Sequence, residues 1–290
     1  MKDYIIRGID KNGSIRFFVA STTNLVEEAR KIHNTSPTAT AALGRALTAA
    51  AIIGITLKNK QDTLTLKIKG DGPIGSIVSV ANCEGEVKGY VDNPHADVPS
   101  RSDGKLDVGS LVGKNGQIAL IRDYGLKEPF VGYSNLVTGE IAEDLVSYFY
   151  HSEQQPSAIS LGVLVDKDIS VRAAGGFMLQ LLPDVSDEDI DRIEKILKDM
   201  KPISTLIDQG LTPEEILEEI FGEFEVEILS KTYVQYKCNC NLEKIEQVLI
   251  SLGEEELTKI IEEDEKAEVV CHFCNTKYRF SKDDLLKLLK

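Results

Sequence analysis

Four of the five cysteines stand near one end of the 290-residue chain as two close pairs, Cys238 and Cys240 in YKCNCNLEK and Cys271 and Cys274 in VVCHFCNTKY. Thirty residues separate the pairs. Four thiolates satisfy a tetrahedral zinc ion, and C-x-x-C is a common zinc knuckle. The C-x-C half is tighter than the usual zinc spacing. Redox chemistry is the alternative for a C-x-x-C, but no βαβ context precedes this one, and four thiols together point to metal. His272 lies inside the knuckle, is expected to point away, and is not needed to fill the shell. Cys83, in SVANCEGEV, reads as a structural or incidental thiol on a strand or turn.

Elements must hold those sulfurs together. Thr232, Val234, Tyr236, Cys238 and Cys240 alternate, which predicts a strand with both C-x-C thiols on one side. NLEKIEQVLISLG reads as a helix capped by Asn241, with Leu242, Ile245, Leu249 and Leu252 on one face. EEELTKIIEED predicts a second helix, the knuckle is followed by a strand, and SKDDLLKLLK predicts a last helix capped by Ser281. A module of about sixty residues has little core, so metal can supply much of its folding energy. Zinc there is either a static staple or a switch. Within-pair disulfides would close rings of three and four residues, worth roughly 1.5–2 kcal/mol each, against roughly 10–16 kcal/mol for structural zinc in small peptides. Oxidation that expels the metal should therefore unfold the module.

Upstream, SIRFFVAST and TLTLKIKG predict strands, the second with Leu64, Leu66 and Ile68 on one face. TNLVEEARKIHN and PTATAALGRALTAAAIIGITLK predict helices, the latter apolar nearly all round and so central. TGEIAEDLVSYFYHSEQ predicts a helix with Ile141, Leu145, Tyr148 and Phe149 inward. AISLGVLVD and VRAAGGFMLQLL predict a hairpin of buried strands. The class is α+β, with a core domain over 1–182. Beyond Pro183 come short amphipathic helices: one capped at Ser186 with Ile190, Ile193, Leu197 and Met200 in register, and one capped at Thr212 with Pro213 first, Glu215 in a capping box and Gly222 as its stop. These make a helical linker over 183–230, before a module over 231–290. Isolated helices this short are marginal, so their apolar stripes must lie on something else.

Net charge is −14, and most of it sits in one place: residues 181–230 hold 4 Lys/Arg against 15 Asp/Glu, whereas 1–180 hold 19 against 20 and 231–290 hold 10 against 12. No basic surface is visible for nucleic acid. Lys277 and Arg279 beside the knuckle are the only hint of one, and they could simply balance the sulfur charge. MKDYIIRGIDKNGSIRFF lacks a signal-peptide core, and the most apolar helix carries Arg45, so neither export nor membrane insertion is expected. The reducing cytoplasm is the expected compartment, and disulfides are not the default state there.

Several stretches in order, GDGPIGSIV, RDYGLKEPFVGYSNLVTGEIAEDLVSYFYHSEQQPSAISLGVLV, AAGGFMLQLLP and the terminal C-x-C…C-x-x-C, resemble the redox-regulated heat-shock chaperone family, the thirty-three-kilodalton chaperonins of bacteria. The resemblance covers nearly the whole chain; Cys83 lies outside its pattern. It implies an ATP-independent holdase of the bacterial cytoplasm. Cys238, Cys240, Cys271 and Cys274 would hold one zinc in the reduced, inactive form. Under oxidant and heat, disulfides Cys238–Cys240 and Cys271–Cys274 would form and zinc would leave. Module and linker would then unfold, the chain would dimerise, and unfolding client proteins would be bound. Physically this is an order-to-disorder switch, eased by repulsion among the linker's acidic residues.

Two other classes fit parts of the sequence less well. An enzyme could use GDGPIG as a phosphate loop, but it lacks Lys-Ser/Thr and a following helix and reads as a turn. Glu140, Glu143 and Asp144 read as an exposed helix start, and His33, His95, His151 and His272 sit in unrelated contexts. The chain is expected not to be an enzyme. A zinc ribbon that holds its metal permanently is the second alternative, distinguished by zinc retention under peroxide.

Overall fold

In the computed structural model, which describes residues 2–289, the chain divides into two units, Met1–Lys237 and Cys238–Lys290. The first begins with β1 (Tyr4–Ile9), β2 (Ile15–Ser21), α1 (Thr23–His33) and α2 (Pro37–Gly54). It continues through β3 (Thr63–Lys69), β4 (Ser76–Ala81), β5 (Glu86–Val91), α3 (Val108–Val112), β6 (Gln117–Asp123) and β7 (Phe130–Asn135). Then follow α4 (Ile141–Ser152), β8 (Ser157–Val165), β9 (Val171–Leu181), α5 (Asp187–Asp199), α6 (Ile203–Asp208), α7 (Pro213–Phe221), β10 (Glu227–Tyr233) and β11 (Gln235–Tyr236). The second unit holds α8 (Leu242–Ile250), α9 (Glu254–Glu263), β12 (Lys266–Val270), β13 (Lys277–Ser281) and α10 (Lys282–Leu288).

Two sheets make the first unit, in strand orders β10-β1-β2-β9-β8 and β11-β5-β4-β3-β6-β7. All pairings in them are antiparallel except the short β11–β5 pair. Helix α2 is central, as its all-round apolar pattern predicts: every residue but Pro37 and Arg45 is buried, and it packs on strands of both sheets. Ser36 caps it by accepting from the Ala39 N–H, and Pro37 takes the first helical position.

The five-stranded sheet buries both faces, which explains its long apolar runs. Ile5, Phe18, Ala20, Ala174 and Met178 join the core around α2. Their neighbours Tyr4, Ile6, Phe17, Val19, Phe177 and Leu179 face the other way and pack with Ile193, Ile203, Leu206, Ile216, Leu217, Ile220, Phe221 and Phe224. The apolar stripes of α5, α6 and α7 therefore lie on this sheet. Phe221 is the centre of the contact, with ring centroids 5.2 Å from Phe17 and 5.4 Å from Phe177.

Several expectations are corrected. Residues 227–236 are strands of the first unit's two sheets, so the second unit is shorter than 231–290. Gly222 does cap α7 as expected, in a right-handed conformation that leads into a 3₁₀ turn, Gly222–Phe224, which ends at the left-handed Glu225, φ 50°. Asp144 is not exposed: it is fully buried, and its Oδ1 accepts from the Val137 and Thr138 N–H groups at 2.7 and 3.1 Å. Leu242 and Leu252 are about half exposed, so the inward face of α8 is only Ile245 and Leu249. GDGPIG, by contrast, is a turn as expected, and β4 follows it. Among the described residues, no helix is long and apolar enough to cross a membrane.

Candidate metal centre

The second unit has a small apolar core of Ile245, Leu249, Leu257, Ile261, Phe280 and Leu285. Four local signals build its elements around the thiols. Asn241 caps α8 by accepting from the Lys244 N–H at 2.9 Å. Gly253, at φ 89°, turns the chain into α9. Strands β12 and β13 pair from Lys266↔Ser281 to Val270↔Lys277. A capping box between Ser281 and Asp284 starts α10.

The C-x-x-C knuckle is the tip of the β12–β13 hairpin. Asn275 takes a left-handed turn at φ 56°, its N–H donates to the Cys271 carbonyl at 2.8 Å, and the Cys271 N–H donates to the Thr276 carbonyl at 3.0 Å. Asn suits this position because its short polar side chain tolerates the left-handed region. The C-x-C half corrects the expected geometry: beyond Lys237 no strand pairs with residues 238–241, and Cys238 and Cys240 lie on irregular backbone just before the α8 cap. Alternation from Thr232 predicted a strand, but the pairing that sustains one ends at Tyr236.

All four sulfurs converge, each within 4.8 Å of the others, and none of the cysteines is bridged. Cys238 and Cys271 Sγ are 3.7 Å apart, and Cys240 and Cys274 Sγ are 3.3 Å apart. A zinc ion bound at about 2.3 Å to each sulfur puts sulfurs about 3.8 Å from one another. The donor set, its number and its spacing fit a tetrahedral ion. Among the described residues this is the single metal-type cluster; His272 is not in it. Cys83 is in the first unit, in the turn between β4 and β5, where its thiol meets the Asn59 carbonyl at 3.3 Å.

Groups around the sulfurs prepare them for charge. Backbone N–H groups of Phe273 and Cys274 are directed at Cys271, and that of Cys240 at Cys238. Burial nonetheless pushes Cys238 up to about 12, with the neighbouring thiols Cys240, Cys274 and Cys271 adding to it, and burial raises Cys271 too. Cys274 differs. Burial raises it, but hydrogen bonds with the Thr276 hydroxyl and N–H and with Cys240 and Cys271 outweigh that and bring it to about 7. Thr276 Oγ1 is 3.2 Å from Cys274 Sγ, and the Tyr278 hydroxyl donates to Cys240 Sγ at 3.2 Å, which itself pushes the Tyr278 phenol up to about 12. Crowding four thiols makes neutral sulfurs costly to ionise one by one; a cation at their centre removes that cost.

Thr276 and Tyr278 were not singled out from the sequence. Their places two and four residues beyond Cys274, on the strand leaving the knuckle, are the signal that could have found them. Lys277 and Arg279 do not serve the sulfurs: both pair with Glu268 across the hairpin, at 3.3 and 2.9 Å. Glu140 binds Arg45 and lies 3.9 Å from Arg101, away from Asp144's turn-closing role.

The family model for the Hsp33 protein matches residues 3–281. The chain belongs to the Hsp33 family. A 33 kDa chaperonin of Alkaliphilus oremlandii is 51% identical over 288 residues, which is 99% of this chain and 96% of that protein. One from Bacillus cytotoxicus is 50% identical over 290 residues, covering 100% and 99%. The crystal structure of the Hsp33 homologue of Thermotoga maritima superposes with a TM-score of 0.90 at 42% identity, over 100% of this chain and 98% of that one. Family membership and fold thus agree with the sequence resemblance along the full length.

Proposed function

We propose that this Hsp33 chain is a redox-regulated, ATP-independent holdase, zinc-bound and passive when reduced, and activated by oxidation to bind unfolding proteins. The observation that carries this reading is the convergence of four unbridged thiols from two close pairs in a unit whose buried core is six side chains. Zinc bound to Cys238, Cys240, Cys271 and Cys274 would hold four thiolates deprotonated and tie the hairpin tip to the segment before α8. Their half-buried state leaves three of these sulfurs open to a small oxidant, with only Cys271 buried.

Each disulfide forms when two thiolates give up two electrons to one peroxide, which takes two protons and leaves as two waters. One thiolate becomes a sulfenic acid, and its partner displaces water from it. Disulfide sulfurs carry no negative charge with which to hold a cation. The pairing we propose is Cys238–Cys240 and Cys271–Cys274. The unit then loses its main source of folding energy, since two small rings return only about 3–4 kcal/mol against roughly 10–16 kcal/mol for zinc.

The linker of 183–230 would be the next to yield. Its stripe covers a sheet face of the core of 1–182, and its outer face is heavily acidic. Released, both surfaces offer apolar contact to non-native proteins. The active form is a homodimer, works in the cytoplasm without nucleic acid or membrane, and has no catalytic activity of its own. Titrating the reduced protein with peroxide at elevated temperature tests this, with zinc release read by a chromophoric chelator beside light scattering of a heat-denatured client. Zinc release and suppression of scattering should rise together. Zinc loss without client protection would refute the coupling, and zinc retained under peroxide would favour a static ribbon.

A further inference from the structure

The last residues of the first unit, Glu227–Lys237, form a strap that closes one edge of each sheet. β10 lies along β1 from Ile9↔Glu227 to Tyr4↔Tyr233, and β11 lies parallel to β5. Where the strap crosses between sheets, its backbone N–H groups donate in turn to both: Val234 to the Asp3 carbonyl (3.1 Å), Gln235 to Gly85 (3.0 Å) and Lys237 to Val87 (2.8 Å). On β10 the side chains grip only at the surface, with the Lys231 ammonium 3.6 Å from the Tyr4 ring centre and the Tyr233 ring 6.2 Å from it. Every residue of β10 but Thr232 is exposed, including Ile228, Leu229 and Tyr233. Two positions are seated: Val234 is buried in the core around α2, and the Tyr236 hydroxyl donates to the Gly89 carbonyl at 2.8 Å. Lys231 and Lys237 add ion pairs to Glu214 and Glu86. The next residue in the chain is Cys238.

A strand held by its main chain, with side-chain seats only at two alternate positions, can be replaced by another extended chain. Without the strap, β1 would pair only with β2 and β5 only with β4, leaving two rows of unpaired backbone groups. We propose that the strap is an internal stand-in for client. When the C-terminal unit unfolds, Glu227–Lys237 leaves, and β1 and β5 accept extended segments of non-native polypeptide by strand addition. The preferred segment carries a branched or aromatic apolar residue at the Val234 position and an aromatic two residues later, with little demand elsewhere. A cleft of about 720 Å³ beside the crossing, lined by Lys2, Asn24, Glu28, Glu84 and Tyr233 among others, leaves room for larger side chains than the strap presents. This rests on the chaperone reading and adds to it where, and in what conformation, the client sits.

The probe is the strap's own peptide, EILSKTYVQY, beside the same peptide N-methylated at Val234 and Gln235, which keeps every side chain and removes two donors. The unmethylated peptide should bind the peroxide-activated full chain but not the reduced one, and should compete with capture of a denatured protein. N-methylation should weaken it by at least about tenfold, as two lost hydrogen bonds imply. A resting-state variant gives independent access. Val234→Asp puts a charge where the strap's buried valine sits in the core around α2 and leaves β1, β5 and the peptide unchanged, whereas Ile228 on the same strap is 44% exposed. Val234→Asp should therefore admit the peptide without oxidation, and Ile228→Asp should not. Equal binding of both peptides, or failure of the unmethylated peptide to bind a chain that still captures denatured protein, overturns the proposal while leaving the holdase reading intact. Amides of β1 and β5 that become protected on activation without peptide, in proportion to protein concentration, would assign the edges to a second copy and overturn it as well. An activated chain that captures nothing sinks both.

Discussion

At the scale of single residues, the convergence of the four cysteines was readable because such clusters are written in short spacing: C-x-C and C-x-x-C need no tertiary information to be seen. Their supporting groups were less legible because they act through geometry. Tyr278 is the clearest case. Its hydroxyl reaches Cys240 from β13, and an outer partner of a metal ligand is typically worth 10–100-fold in affinity. Tyr278→Phe should accordingly weaken zinc binding by about tenfold or more in chelator competition and lower the peroxide dose for zinc release; unchanged affinity would mean the hydroxyl is incidental. Asp3 was invisible for a similar reason. It lies just before β1, yet its carboxylate accepts from the Leu25 N–H at 2.7 Å and the Asn24 side chain at 2.8 Å, capping a helix that begins twenty residues further on. Burial raises it to about 6, against the lowering effect of those donors. A carboxyl raised in the fold stabilises it most when protonated. Its contribution is therefore full below about pH 4 and lost as pH rises to about 6, by at most about 3 kcal/mol. In denaturant melts, the stability of the wild type relative to Asp3→Asn should fall across that window and level off above pH 7. A difference that grows with pH would show the carboxylate to be the favoured form.

At the scale of elements, periodicity served best where a helix or strand is buried in one way throughout. α2 and the β8–β9 hairpin were legible as central because few polar residues interrupt their apolar runs, and α7 because Thr212, Pro213 and Glu215 mark its start. The C-x-C strand failed because alternation reports a face, not a partner, and pairing stops at Tyr236. The exposed edge strand β7, with Phe130 73% and Tyr133 64% exposed, was missed because it lacks a buried face to impose alternation. The linker's stripe was visible, while the sheet it lies on emerges only from tertiary pairing. Phe221, wedged between Phe17 and Phe177, is the residue on which that docking most depends. Phe221→Ala should cost about 3–5 kcal/mol of local stability. Activation should then need less heat or less peroxide in the client-aggregation assay, with zinc affinity unchanged. Thr212→Ala removes the capping box and should act in the same direction by about 1 kcal/mol. Linker amides exchanging no faster in either variant would count against a marginal, sheet-docked linker.

At the scale of the whole molecule, the first unit holds two sheets with α2 between them and helices over the outer face of one, whereas the second has six buried apolar residues and four clustered thiols. On the proposed reading, that asymmetry is what would let a redox event at four sulfurs unfold one part of the chain and not the rest. The acidic run of 181–230 belongs to the same design: a linker that repels itself is held by contacts and lets go readily once they are weakened. The most direct measurement is hydrogen exchange across the second unit and the linker in a variant with Cys238, Cys240, Cys271 and Cys274 all replaced by serine, under reducing conditions without peroxide. Fast exchange throughout α8–α10 and in α5–α7, with β3, β4 and β6 still protected, is the predicted result. Protection equal to that of the zinc-loaded wild type in both regions would contradict the claim that sulfur-bound metal holds this part of the chain folded.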